Sequence, residues 1–284
     1  MTVYMCGGTF EEILCGVYHA WTSRKGHNNV RLEIRSQCFQ RELFTEYTEV
    51  LGDEKTFEKV FEAIQKLSSQ VYEWVYTASL SCDWGRADKI YRFLVAAFHI
   101  GPQITNMLQM PAVYEVFELC RFVRNETHYL TEFIHFSQGP GGVLIGRAGP
   151  KNDVIAMTAP HFADRMPGEN WMIYDEPRKK AVVHRAGAGW FAADLSGCIA
   201  SETGEGEWAA LNALLAGKER EDYGRLWKAF FDSVAVKERE NPRCQRNHLP
   251  LRYRPYMTEF SSVPMRERNE MGDDSGLEAE AGLR

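Results

Sequence analysis

Arginine and aromatic residues are concentrated between residues 237 and 260, which read KERENPRCQRNHLPLRYRPYMTEF. Guanidinium groups are forked donors that bind phosphate oxygens, while flat tyrosine and imidazole rings stack on nucleobases. Three prolines prevent one long helix, so this segment, called here the basic strap, is predicted to be extended and ordered. The residues of this predicted nucleic-acid surface are Arg239, Arg243, Arg246, Arg252, Tyr253, Arg254 and Tyr256, with His248 beside them.

The basic strap also has a structural interpretation. It closes the fold, with Arg252 or Arg254 paired to a carboxylate such as Glu259 and with the tyrosines half-buried. A high density of arginine and tyrosine is typical of nucleic-acid surfaces but is not specific to them. The sequence leaves both interpretations open.

Two pairs of residues are weak catalytic candidates. His161 and Asp164 lie three apart in APHFADR and share one helical turn, which suits a general base oriented by a carboxylate, or half of a metal site. The structural alternative is a helix bent after Pro160 whose histidine bonds into a sheet. Glu126 and His128, two apart near a predicted strand start, are expected on one face, with surface polar residues as the default interpretation. The sequence contains no complete catalytic site, and whether the protein is an enzyme stays open.

The seven cysteines indicate neither a disulfide framework nor a metal centre. They stand at positions 6, 15, 38, 82, 120, 198 and 244, an odd number without any C-x-x-C pair. We therefore expect no metal, no other cofactor and a reducing cytoplasmic location. The N-terminus lacks a basic region before an apolar stretch, so no signal peptide is expected, and no apolar run is long enough for a membrane span.

Hydrophobic periodicity predicts an α+β fold: a mostly helical N-terminal part, an antiparallel sheet with one helix in the middle, and a helical C-terminal part with the extended basic strap. The boundaries predicted are 1–127 for the helical region, 128–200 for the β region, and 207–260 for the C-terminal helices and strap. Residues 261–284 are predicted to be a disordered acidic tail. Within the first region Thr9 and Glu12 form a capping box, 30–34 is a strand, and a helix break is expected near Ser68.

Charge is segregated along the chain, although the net charge of −6 excludes a protein that is basic throughout. Residues 237–255 hold six basic side chains and only two acids, whereas 266–284 hold six acids and three arginines. Local basic segments, rather than net charge, decide where a polyanion binds. The composition is therefore compatible with a nucleic-acid partner at the basic strap.

Four sequence blocks together carry a family resemblance. They are YMCGGTFEEIL at the start, TAPHFADRM at 158–166, LWKAFFDSVAVKEREN, and the strap block NPRCQRNHLPLRYRPYMTEF. The chain resembles a bacterial family of uncharacterised DNA-metabolism proteins over nearly its whole length to about Phe260. Where the family opening usually has Tyr-Asp, this chain has Cys6-Gly7, so no acid is available there. The resemblance assigns no catalytic residues.

The resemblance implies a companion protein. Members are typically encoded beside a radical-SAM protein that acts on DNA, and a related domain is fused behind uracil-DNA-glycosylase-like domains. The expected function is an accessory protein of DNA repair or modification that binds DNA, the radical-SAM partner, or both. The alternatives are a stand-alone hydrolase or nuclease acting through His161 and Asp164, or a purely structural docking subunit for the partner.

Overall fold

A computed structural model describes residues 1–35, 42–139, 142–195, 245–246, 248–257 and 260. Helices and two sheets confirm the predicted α+β class. The contacts divide the chain into two compact units. The first contains Met1–Thr127 and Lys151–Val154, and the second contains His128–Pro150 with the described residues from Ile155 onward. The predicted helices at 207–240 and the acidic tail lie outside the described residues.

The first unit contains a three-stranded parallel sheet in the order β2-β1-β3. Its strands are β1 (Thr2–Cys6), β2 (Val30–Ile34) and β3 (Glu46–Glu49), and β1 pairs with both neighbours. The strand predicted at 30–34 is confirmed, but β1 and β3 were not predicted. The cause is physical: β1 is a short, almost wholly buried run without alternation, and β3 is a polar edge strand, so neither gives a periodic signal.

Helices α1 (Phe10–Thr22), α2 (Glu54–Leu67), α3 (Ser69–Ser79) and α4 (Arg86–Ile100) surround this sheet's core. The predicted capping box is confirmed, since the Glu12 amide donates to Thr9 Oγ1 and the Thr9 amide donates to the Glu12 carboxylate. Ser68 ends α2 and caps α3, which confirms the predicted break. Gly101, with φ of 99°, ends α4 because few other residues adopt this conformation.

Helix α5 (Pro111–Phe133) is longer than the sequence pattern indicates. A strand was predicted from about residue 127, but the helix continues to Phe133 and only Phe136–Gln138 forms strand β4. Tyr129 and Phe133 are four residues apart and stack at 6.1 Å on one side of the helix. Aromatic residues in a short run fit the period of a strand as well as that of a helix, and this segment forms a helix.

The second unit contains a five-stranded mixed sheet in the order β4-β5-β6-β7-β8. The remaining strands are β5 (Leu144–Ala148), β6 (Trp171–Asp175), β7 (Lys180–Arg185) and β8 (Gly189–Asp194). The predicted helix is α6 (Ile155–Arg165), and it joins β5 to β6 as a crossover. Because a crossover returns the chain in the same direction, β5 and β6 are parallel, which corrects the purely antiparallel prediction.

Three of the described thiols are buried in the first unit. Burial raises the pKa of Cys6 and of Cys120 to about 12, and it also raises the pKa of Cys15, so these thiols stay protonated at neutral pH. Cys82 is exposed. We expect an alkylating reagent to label Cys82 in the native protein and to spare the other three, as measured by mass spectrometry of a digest. Rapid native labelling of Cys120 would contradict this packing.

No helix within the described ranges is both long and apolar enough to cross a bilayer.

Candidate nucleic-acid interface

The described part of the basic strap is helical rather than extended. Gln245, Arg246 and His248 are helical, and the Leu249 amide donates to the Gln245 carbonyl at 2.7 Å. Leu251–Tyr256 is a 3-10 helix, in which the Tyr253 amide donates to the Pro250 carbonyl at 3.1 Å. Proline fixes φ near the helical value, so Pro250 and Pro255 are compatible with this short helix. The prediction of an extended strap is therefore wrong for these residues.

The 3-10 geometry gives the strap an inner face. Three residues per turn place Tyr253 and Tyr256 one above the other on the same side. Tyr253 is only 3% exposed, and its ring lies 6.2 Å from that of Tyr129 and 6.1 Å from that of Phe133. Its ring has no open face for a base, so the structure places this predicted stacking residue in the core.

Tyr256 anchors the other end of the 3-10 helix to the sheet. Its hydroxyl donates to Glu176 Oε2 at 3.1 Å, and burial together with the Glu176 charge raises the tyrosine pKa. At Gly149 a Cβ atom would lie 2.4 Å from this hydroxyl oxygen, so only glycine leaves room for the ring. Tyr256 is half-buried, and its hydroxyl is engaged within the protein.

The described arginines of the strap are more exposed than Tyr253. Arg252 lies over the Tyr253 ring at 4.8 Å and donates to the Tyr253 hydroxyl at 2.8 Å, which directs it along the strap. Arg254 lies over the Phe260 ring at 4.8 Å and is half-buried, while Arg246 is exposed. Arg239 and Arg243 lie outside the described residues.

Arg254 is in an electropositive environment. Burial, and then repulsion by the neighbouring Arg246 guanidinium, lower the pKa of Arg254. In the part of the chain that the structure describes, no carboxylate lies within ion-pair distance of Arg254. Two neighbouring cations, one of them without a carboxylate partner, attract an anion such as a phosphate.

The acids near the strap are already paired. Glu176, which accepts from Tyr256, also binds Arg147, whose Nε donates at 2.8 Å. Asp175 is fully buried and lies 3.0 Å from Arg178, which also donates to the Pro150 carbonyl at 3.0 Å. These contacts hold the carboxyl ends of the parallel strands β5 and β6. The acids therefore stabilise the frame beneath the strap.

His161 and Asp164 both lie on α6 and are both exposed. The His161 ring makes an edge contact with Phe162 at 5.1 Å. Over the described residues, neither the His161 imidazole nor the Asp164 carboxylate has a hydrogen-bond partner. His161 and Asp164 therefore remain catalytic candidates from the sequence alone.

Glu126 and His128 do not share a face, because both belong to α5 and not to a strand. The side chains of helical residues two positions apart point in directions that differ by about 200°. Glu126 is 1% exposed, and its carboxylate accepts from the amides of Lys151 (2.9 Å) and Asn152 (2.6 Å) and from Asn152 Nδ2 (2.6 Å). His128 is exposed and lies 2.9 Å from Glu132. Glu126 is therefore a buried structural carboxylate.

No group of three or more histidine, cysteine or acidic side chains in the described ranges is arranged to hold a metal ion.

The family comparison has one result. A family model with the description "Domain of unknown function (DUF4130)" matches residues 85–259, which is more than half of the chain. The chain belongs to this family. No curated protein matches it. The DUF4130 domain thus extends from the start of α4 through the second unit to the strap.

The residues that anchor the strap were not found by sequence reasoning. Tyr129, Phe133, Gly149 and Glu176 are all far from the strap in sequence, and all lie within the DUF4130 domain. One local signal was available, since a glycine before a proline at 149–150 marks a tight backbone position. The partner that fills this space cannot be read from that signal.

Proposed function

We propose that this protein is an accessory protein of DNA repair or modification that binds DNA through the outer side of its basic strap. The observation that carries the proposal is the division of the strap into two faces. Tyr253 and Tyr256 are turned inward and fix the strap, whereas Arg246 and Arg254 are neighbours. Among the described residues no carboxylate pairs with Arg254, and Glu259 lies outside them. Two neighbouring guanidiniums suit phosphate oxygens.

Binding of this kind reads the DNA backbone and not the base sequence. Phosphate contacts position a protein but carry no sequence information, and Tyr253, which is 3% exposed, offers no ring face to a base. Sequence recognition or chemistry then belongs to another component. This division of labour fits the resemblance, in which members accompany a radical-SAM protein that acts on DNA.

The salt dependence of binding tests the strap directly. We expect Arg246→Ala and Arg254→Ala each to weaken binding similarly for unrelated DNA sequences and to reduce the slope of log affinity against log salt by about one unit. The melting temperature of Arg246→Ala should change little, since exposed substitutions usually alter stability by about 0.5 kcal/mol or less. Arg254→Ala also removes a half-buried side chain from the Phe260 ring, so its affinity is measured at a temperature at which the variant is folded. The measurement is fluorescence anisotropy on a labelled duplex over a salt series.

Arg121→Ala is the matched control for this experiment. Arg121 is also exposed, but it lies on α5 and is paired with Glu118 at 2.6 Å. It should leave the salt slope unchanged. If Arg121→Ala reduces affinity as much as Arg254→Ala, arginines elsewhere on the surface contribute equally to DNA binding. The strap is then not the DNA surface.

A partner experiment separates the two forms of the accessory role. The full chain is co-expressed with a radical-SAM protein of the kind that the resemblance implies, and the pair is isolated through a tag on the partner. Recovery of wild-type protein together with binding to damaged or undamaged DNA supports a DNA-binding companion. The docking subunit is supported instead if the wild type binds no DNA and if Arg246→Ala and Arg254→Ala are no longer recovered with the partner.

A further inference from the structure

Trp84 is 66% exposed in the first unit, on the connection between α3 and α4. Tryptophan is on average a highly buried residue, because its indole ring carries a large apolar area. Within the described residues, no other aromatic ring packs against this indole. A single exposed apolar side chain needs no explanation by itself, so the surrounding loop decides its significance.

The loop that carries Trp84 is fixed by hydrogen bonds on both sides of the residue. The Cys82 amide donates to Asn152 Oδ1 at 2.8 Å, and Asn152 is itself fully buried. The Asp83 amide donates to Ser81 Oγ at 3.2 Å, and Asp83 Oδ1 accepts from the Gly85 amide at 2.7 Å. The backbone on both sides of Trp84 is therefore held in place before binding, which lowers the entropy lost when a ligand docks.

The surroundings of Trp84 are polar and include two cations on the first turns of α4. Arg86 donates to the Asp83 carbonyl at 3.0 Å and to the Gly8 carbonyl at 2.9 Å, and Lys89 lies 3.0 Å from Asp83. Two kinds of ligand bind an exposed tryptophan. A tryptophan that dominates binding to a protein partner lies at the centre of a larger contact surface that excludes water. A nucleobase requires one flat ring face and nearby positive charge for the adjoining phosphates. The polar setting of Trp84 matches the second description.

We infer that Trp84 is a stacking platform for an unpaired base of DNA, with Arg86 and Lys89 near the phosphates that flank that base. The inference rests on the proposed function in taking DNA as the ligand, and it adds the structural class of DNA that is recognised. Bases inside a duplex are already stacked, and extruding one costs a few kcal/mol. Single-stranded DNA, or a site with an extruded base, is therefore the preferred ligand.

The test compares single-stranded and duplex binding for one substitution. The full-length wild type and Trp84→Ala are titrated into a labelled oligothymidine and into a labelled, fully paired duplex of equal length. Stacking of one base on an aromatic side chain corresponds to a roughly 5- to 150-fold change in affinity. We expect Trp84→Ala to lose that factor on the single strand and to bind the duplex like the wild type.

Two control variants accompany Trp84→Ala. Trp84→Phe keeps an aromatic face and should retain most of the single-strand affinity. Tyr114→Ala removes another exposed aromatic side chain, 51% exposed on α5, and should leave both affinities unchanged. All three variants should melt like the wild type, because none of the rings is buried.

The outcomes separate this inference from the proposed function. Equal single-strand affinity for Trp84→Ala and wild type overturns the inference, and the proposed function stands if Arg246→Ala and Arg254→Ala still weaken binding. An equal loss on single strand and duplex also overturns it, because stacking on an unpaired base predicts a difference. If the wild type binds neither DNA, both proposals are wrong, and a protein partner becomes the better candidate for the Trp84 loop.

Discussion

Glu126→Ala is expected to lower the free energy of unfolding by about 3–5 kcal/mol. The Glu126 carboxylate is almost completely buried and accepts hydrogen bonds from the backbone amides of Lys151 and Asn152 and from the Asn152 side-chain amide. Removing the acceptor leaves buried donors without partners, and each such donor costs roughly 1–3 kcal/mol. Denaturant unfolding followed by circular dichroism measures the loss.

Two substitutions calibrate this result. Glu126→Gln keeps the shape and one acceptor oxygen but brings an NH2 group towards amide donors, so an intermediate loss is expected. His128→Ala, two residues along the same helix, removes an exposed side chain and should change stability by about 0.5 kcal/mol or less. If Glu126→Ala unfolds at the same denaturant concentration as the wild type, the buried carboxylate does not hold Lys151 and Asn152 as the hydrogen bonds indicate.

Local chemistry explains which parts of the fold could be predicted. The capping box at Thr9 and the break at Ser68 depend on residues within one helical turn, and both are present. The alternation of 30–34 likewise needs only a strand with one buried face. Such signals depend little on the rest of the chain.

Elements whose stability comes from distant partners could not be predicted. Strand β3 is polar and is formed only by pairing with β1, more than forty residues away in sequence. The last turns of α5 contain aromatic residues that fit a strand as well as a helix. In the helical conformation, Tyr129 and Phe133 both contact Tyr253 of the strap. Tertiary context overrides weak local preference in both cases.

The candidate interface shows the same limit at the level of side chains. Composition indicated a basic and aromatic segment correctly, but composition does not state which side of the chain each residue occupies. That information comes from the 3-10 turn, which groups Tyr253 with Tyr256, and from Gly149, which admits the Tyr256 ring. The tyrosines predicted to stack on bases are consequently the residues that fix the strap.

Tyr253→Ala is expected to destabilise the protein by about 3–5 kcal/mol, the usual range for deleting a large buried aromatic side chain. The ring is 3% exposed and contacts two rings of α5, so its removal leaves a cavity between the strap and that helix. Tyr253→Phe keeps the ring and removes only the hydroxyl that accepts from Arg252. The free energy of unfolding of Tyr253→Phe should be lower than that of the wild type by about 0.5–1.5 kcal/mol, the usual contribution of a hydrogen bond.

Affinity and stability measured on the same variants separate an anchoring role from a stacking role for Tyr253. If the ring anchors the strap, Tyr253→Ala melts at a lower temperature, and Tyr253→Phe binds DNA like the wild type because Arg246 and Arg254 keep their positions. If the ring stacks on a base, Tyr253→Ala melts normally and loses roughly 1–3 kcal/mol of binding free energy. The second pattern would contradict the buried position of Tyr253. It would require the strap to leave the sheet when DNA binds, and Tyr256→Phe, which removes the bond to Glu176, would then strengthen binding by favouring that release.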